Sequence, residues 1–154
     1  MFKVIVDTRE QHPFEFISSK ISEVVVKKLD TGDYSIEGLE DKLAIERKAS
    51  VKEFYNNITE KRFWNEMERF QNYKYRFIVF EFSVSDVEMF PHGSGLSVSI
   101  MKKLKISPAY LMKCIAQLQV KYNIHVIFGG NRDNATYLVS NIMKEVCNAE
   151  TKIN

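Results

Sequence analysis

The chain has little of what marks a secreted, membrane-bound or zinc-knuckle protein. Its 154 residues include two cysteines, three prolines, six glycines, three histidines and one tryptophan. Cys114 and Cys147 cannot build a disulfide framework and lack CxxC spacing for zinc. Both fall in apolar helical patterns, so buried, reduced thiols are expected. His12 and His92 fall in loops with no second His or Cys at ligand spacing, and His125 reads as an ordinary strand residue. No run approaches the ~18 consecutive apolar residues of a membrane helix. Charge at Lys3 and Asp7 interrupts the N-terminal residues too early for a signal peptide. At 45% apolar and 27% charged, the composition is that of an ordinary globular domain. One cytoplasmic domain over residues 1–154, with its core at about 3–147 and no membrane association, is expected.

Acid is missing from one long stretch. Residues 89–132 hold five lysines, Arg132 and no carboxylate, a net of +6, in a chain with twenty acids. Residues 1–41 carry five basic and nine acidic side chains, and residues 42–76 carry nine basic and five acidic. The net charge of +2 therefore hides a segregation that suits a polyanion-facing surface beside an acidic cluster. A solvated lysine face accounts for the same numbers equally well.

Apolar periodicity gives a coarse order of elements. Lys3–Asp7 reads as a buried strand ending on a carboxylate. Apolar residues at 17, 21, 24, 25 and 29 predict a helix within Phe16–Leu29. Thr31-Gly32-Asp33 is a turn, and the segments Tyr34–Ile36 and Lys42–Lys48 pair as a hairpin. Ser50 caps a helix through Ile58, and Thr59 caps a second through about Tyr73. Phe77–Phe82 is the most hydrophobic strand, and residues 83–106 read as loop with one short helix. Ser107-Pro108 opens a helix with Pro at its first position. Ile124–Phe128 is a strand, Gly129-Gly130 a turn, and Asn131–Val146 the last helix. Strands alternating with covering helices predict an α/β sandwich around one mixed sheet.

Four carboxylates fall at strand ends or in turns rather than on solvated helix faces: Asp7, Glu10, Asp33 and Glu46. Glu46 and Lys48 are two apart on one strand and leave the same face, and the hairpin folds Asp33 back beside them. An acidic pair with a nearby ammonium suits metal-assisted hydrolysis, the carboxylates holding a hard cation such as Mg²⁺ with some waters retained.

Val6-Asp7-Thr8-Arg9-Glu10, Gly32-Asp33-Tyr34 and Ile45-Glu46-Arg47-Lys48 follow one another in that order. Together they resemble the nuclease domain of the XPF family, including its Hef-type members, with the signature V-D-x-R-E, G-D and E-R-K-x-x-x-D. The resemblance continues through Lys61-Arg62-Phe63, Phe77–Glu81 and the unit from Ser107 to Arg132, covering roughly residues 3–146. It implies the restriction-endonuclease-like fold, a three-layer sandwich with a central mixed sheet flanked by helices. It also implies a Mg²⁺- or Mn²⁺-dependent endonuclease acting on branched, flapped or single-strand-containing DNA.

Carried over, Asp33 and Glu46 are metal ligands, Asp7 is a further acid at or beside the metal, and Lys48 is the catalytic lysine. Arg9, Glu10 and Arg47 shape the site or meet phosphate. The last motif acid should fall at position 52, which is lysine; Ala49 reads as an extra residue that moves the role to Glu53.

Lys61, Arg62, Lys102, Lys103, Lys105 and Arg132 are candidates for DNA backbone contact, although Lys61 and Arg62 also suit a solvated helix face. Glu81 reads equally as a site acid or an ion-pair partner. Phe63 and Trp64 are expected in the core. Neither a helix-hairpin-helix signal nor Walker-A spacing is present, so a stand-alone nuclease domain is expected, with a separate partner supplying DNA grip. The apolar faces of 108–122 and 133–147 are offered as a homodimer surface. This compact form points to a phage or mobile-element protein of DNA repair or recombination. The rival reading is a catalytically inactive nuclease fold serving as a DNA-binding or dimerisation module; retention of Asp33, Glu46 and Lys48 argues against it.

Overall fold

Twelve elements follow one another in the computed structural model, which describes residues 1–152. They are β1 (Phe2–Val6), β2 (Ile21–Val26), β3 (Tyr34–Ile36), β4 (Leu43–Lys48), α1 (Val51–Ile58), α2 (Lys61–Phe70) and β5 (Tyr75–Phe80), then α3 (Val84–Met89), α4 (Val98–Met101), α5 (Pro108–Val120), β6 (His125–Phe128) and α6 (Arg132–Thr151). The strands make one sheet in the order β2-β1-β3-β4-β5-β6. β3 runs antiparallel to both β1 and β4, while β1 pairs with β2, β4 with β5, and β5 with β6 in parallel.

Each face of the sheet has its own core. On one, Ala44, Ile78 and Phe80 pack with Phe54 of α1, Phe63 and Met67 of α2, Val87 of α3, and Leu111 and Leu118 of α5. On the other, Val4, Val6, Leu43, Ile45 and Val79 pack with Ala135, Val139 and Met143 of α6. The three-layer α/β sandwich expected from the sequence is therefore present, its central sheet mixed. At the far end of α6, Glu150 accepts from Lys42 Nζ and Lys74 Nζ, both at 2.6 Å, tying that helix to the starts of β4 and β5.

Local chemistry explains most boundaries. Ser50, Ser83, Ser97, Ser107 and Asn131 each accept a backbone N–H as N-cap residues, satisfying donors that have no intrahelical partner. Thr59 does not cap α2 as expected: it closes α1, its hydroxyl donating to the Asn56 carbonyl at 2.6 Å, and Glu60 stands at the start of α2. α2 ends at Phe70, short of Tyr73, and α6 runs past Val146 to Thr151. The 83–106 region holds two short helices rather than one.

The largest departure is the segment expected as a helix within Phe16–Leu29. It contains β2, paired in parallel with β1. Ile21, Val24, Val25 and Val26 are β-branched residues that suit a pleated strand. Their spacing mimics a helical stripe, but β2 is an edge strand with Val24 and Val26 exposed, so its pattern carries little burial signal. The apolar faces of residues 108–122 and 133–147 are not a free dimer surface either. Leu111, Cys114, Ile115 and Leu118, and Ala135, Val139, Met143 and Val146, are spent in the two cores. Cys114 is buried and Cys147 half-buried, both as free thiols. Among the described residues, no helix is long and apolar enough to cross a membrane.

Candidate active site

β4 ends in three consecutive charged residues that are all buried: Glu46 at 7% exposed, Arg47 at 8% and Lys48 at 5%. Strand alternation separates them. Ala44, Glu46 and Lys48 leave the face covered by α1 and α2, while Leu43, Ile45 and Arg47 leave the opposite face. On the first face Lys48 Nζ donates to Glu46 Oε1 at 2.7 Å. Phe63, buried in the core as expected, supplies a ring 5.6 Å from that ammonium.

Asp33 reaches the same end of β4 through its backbone. Its N–H donates to the Ile45 carbonyl at 2.7 Å, its carbonyl accepts from Asp7 N–H at 2.8 Å, and its Oδ2 accepts from Arg47 N–H at 2.8 Å. This seat depends on Gly32, which has φ +82°; a Cβ there would lie 2.9 Å from the Ile45 carbonyl oxygen. Gly32→Ala adds left-handed strain of about 1–2 kcal/mol to a backbone clash. The variant is expected to unfold at distinctly lower urea and to lose the Asp33 position; a urea melt alongside an activity assay checks both.

The site is charged against its surroundings. Burial and the nearby Glu46 carboxylate push Asp33 well above the usual carboxylate range. Burial alone would lower Lys48, but Glu46 beside it raises the ammonium above its ordinary value, so it stays protonated at neutral pH. Glu66, a residue that the motif reading missed, is raised by burial and by Glu46. Its Oε1 lies 3.5 Å from Gly32 N–H. Glu66 had a signal in the sequence: a carboxylate placed in the helical stripe of Phe63, Met67 and Phe70.

On the other face, Arg47 donates to both oxygens of Glu10, at 3.0 Å and 2.8 Å, and reaches Glu81 at 3.4 Å. Glu10 also accepts from His12 N–H at 2.9 Å. Burial would raise Glu10, but the Arg47 hydrogen bonds hold it below the ordinary carboxylate value. Arg132 donates to Glu81 at 2.9 Å and to the carbonyls of His12 and Pro13, so Glu81 is an ion-pair partner of two arginines. Asp7 accepts three hydrogen bonds, from Arg9 N–H and Nε and from Leu29 N–H, and so pins the loop after β1.

A cavity of about 330 Å³ opens at this end of the sheet, with Arg9, Glu10, Asp33, Glu46, Arg47 and Glu53 among its walls. A smaller one of about 80 Å³ lies against Glu46, Lys48, Asn57, Arg62 and Glu66. Glu53 rather than Lys52 lines the larger cavity; its Oε2 accepts from Ala49 N–H at 2.7 Å. Arg9 stands at the rim with its side chain 62% exposed, its Nε donating to Asp7 and its Nη2 to the Leu29 carbonyl at 3.1 Å. Lys61 and Arg62 are exposed at the start of α2, and Lys102, Lys103 and Lys105 are exposed between α4 and α5.

The ERCC4 domain model matches residues 6–142. Comparison with curated proteins gives no significant match. Among solved structures, XPF from Aeropyrum pernix superposes with a TM-score of 0.69 at 19% identity, covering 98% of this chain and 68% of that one. The structure titled XPF from Aeropyrum pernix, complex with DNA, gives 0.66 at 19% identity, covering 97% of this chain and 66% of that one. The chain thus spans about two thirds of those structures, and the likeness establishes a shared fold.

Proposed function

The chain belongs to the ERCC4 domain family, and on that premise we propose that it is a metal-dependent endonuclease cleaving branched, flapped or single-strand-containing DNA. The observation that carries this reading is the grouping of Asp33 and Glu46 in one cavity, with Lys48 bonded to Glu46 at 2.7 Å. An inactive descendant has no need to keep two carboxylates close enough to raise Asp33.

The donor set suits a divalent cation. Among the described residues, Asp33 Oδ1 and Glu46 Oε2 accept no hydrogen bond, and no group of three His, Cys, Asp or Glu is placed to hold a metal ion, so the protein offers two carboxylates and the remaining positions fall to water and phosphate. Asn57, whose buried Oδ1 has no hydrogen-bond partner, lines the smaller cavity beside Glu46. Two carboxylates with positions left for water and a phosphate oxygen match the habits of Mg²⁺ and Mn²⁺ better than those of zinc. Asp33 and Glu46 are the assigned ligands, with Glu53 in the same cavity and Glu66 in the smaller one beside Glu46 as the acids that would orient coordinated water. When bound, the cation supplies Lewis-acid polarisation of the phosphodiester and acidifies water.

The chain's own residues do the rest. Lys48 holds one Glu46 oxygen and, as an ammonium, offsets negative charge developing on the phosphoryl group. Arg9, exposed at the rim, meets the incoming strand. Glu10 and Arg47 fix the loop and strand that carry Arg9 and Glu46, acting through position. Asp7 holds Arg9 in place through its hydrogen bonds. Lys61, Arg62, Lys102, Lys103 and Lys105 contact the backbone, each neutralised phosphate adding a salt-dependent increment. Arg132 is spent on Glu81 and two carbonyls and serves as a strut for the loop.

Labelled single-strand, duplex, flap and Holliday-junction DNA incubated with Mg²⁺, Mn²⁺ or EDTA tests the proposal. Metal-dependent cutting, lost in Asp33→Ala and Glu46→Ala, is the expected result. Binding without cutting under both metals would sink the enzyme reading and leave a DNA-binding module.

A further inference from the structure

The catalytic cavity has a neighbour. A second cavity of about 240 Å³ shares Ala49 with it, the residue directly after Lys48. Its walls include Phe82 and Phe90, with Lys52, Asp86, His92 and Ser94 among the polar groups around them. The two chambers thus meet across one residue at the end of β4.

The wall is firm and its chemistry specific. Phe82 stacks on Phe80 at 4.4 Å and meets Phe128 edge-on, and Phe90 lies against Tyr55 at 5.4 Å. Both are at most 5% exposed, so the core holds them firmly and only a small part of each reaches the slot. His92 and Lys52 are exposed. Asp86 uses one oxygen, Oδ2, to accept from Ser83 N–H and Oγ, leaving Oδ1 as an open acceptor. A concave slot that sets aromatic side chains beside convergent polar groups has the make-up of a small-ligand pocket. Its volume holds about eight waters at ~30 Å³ each, the bulk of one heteroaromatic ring system and not of a base pair.

We propose that this cavity receives one unpaired nucleotide of a DNA strand whose adjoining phosphate lies over Asp33 and Glu46. The proposal rests on the nuclease reading of that neighbouring site and narrows its substrate to strands unpaired beside the cut. Two features favour a nucleic acid over a peptide. The loop that builds the pocket begins the 44-residue stretch with six basic side chains and no acid. Aromatic walls beside cationic groups are also how single strands are gripped without sequence readout. A base still paired in a duplex cannot enter a slot this narrow, so the pocket selects forks, flaps and overhangs.

The test uses forked DNA in EDTA, with 2-aminopurine walked along the unpaired arm and fluorescence read on adding protein. A change confined to one or two positions is expected, next to the bond that Mg²⁺ or Mn²⁺ then cuts. His92→Ala removes the exposed ring, and Ser94→Trp fills the slot. Each should abolish the local signal and weaken forked-DNA binding by about 5- to 100-fold, the range of one lost base stack, while duplex binding is unchanged. If both variants keep signal and affinity, the pocket assignment is wrong. If the wild type cuts nothing with either metal, the nuclease reading fails, and the fluorescence pattern and its loss in the variants still decide the pocket.

Discussion

Asp33→Asn should abolish cleavage and at the same time raise the melting temperature of the metal-free protein at pH 7. On the proposed assignment, loss of a cation ligand removes several kcal/mol of transition-state stabilisation, roughly 10³-fold or more in rate. The stability gain follows from linkage. Asp33 is raised in the folded state by burial and by Glu46, so its contribution is most favourable below the unfolded value near pH 4. That contribution is lost as pH rises through the folded value. Each tenfold change in proton affinity is about 1.4 kcal/mol, and for a chain of this size 1 kcal/mol moves the melting temperature by about 3 °C.

Asparagine keeps an acceptor for Arg47 N–H and carries no charge. Its advantage should vanish near pH 4 and grow as pH rises toward the folded-state value of Asp33, read by thermal melts in EDTA from pH 4 upward. Mg²⁺ should reverse the order by binding the folded wild type alone, adding about 2.7 kcal/mol at a hundred times its dissociation constant. A variant that melts below the wild type at pH 7 in EDTA would show that the two carboxylates are not in conflict.

Arg47→Ala is expected to do the opposite, losing stability first and activity with it. Arg47 and Glu10 have side chains only 8% and 5% exposed and share two hydrogen bonds. Removing one partner strands a buried charge, which typically costs about 3–5 kcal/mol, or on the order of 10 °C here. Glu10→Ala should fall in the same range, and the double variant Glu10→Gln/Arg47→Met should recover part of the loss, because no unpaired charge remains. Chemical denaturation of the wild type, Glu10→Gln, Arg47→Met and the double variant closes the cycle. Full additivity would mean that the pair is not coupled, and Arg47 would then have to act mainly on substrate. The contrast is diagnostic of the proposed roles, in which Asp33 is a ligand kept at a cost in stability and Arg47 is scaffold for the strand that bears it.

Much of this was legible before any coordinates. Glu46 and Lys48 lie two residues apart on a strand and therefore had to share a face, and Gly32-Asp33 had to turn, because these are covalent and steric facts of short range. The Ser107-Pro108 start and the last helix after the Gly129-Gly130 turn were readable for the same reason, and Asn131 proves to be that helix's cap. What failed was the inference that spacing at 17, 21, 24, 25 and 29 means helix. An edge strand buries little, so its alternation is weak, and the pairing with β1 that decides its conformation comes from about twenty residues away. Glu66 escaped notice because nothing in α2 shows that its apolar stripe packs across the site.

The residues and their order thus settled the chemistry available: two acids, an ammonium, and a basic stretch free of acid. Tertiary structure decided which groups are free to use it. Asp33 and Glu46 each keep one carboxylate oxygen without a hydrogen bond, whereas both oxygens of Asp7 are committed to Arg9 and Leu29, both of Glu10 to Arg47, and the Arg132 guanidinium to Glu81 and the loop carbonyls. Local sequence cannot report this, because a buried charge takes the partner that the packed chain brings to it, and those partners lie up to 120 positions away.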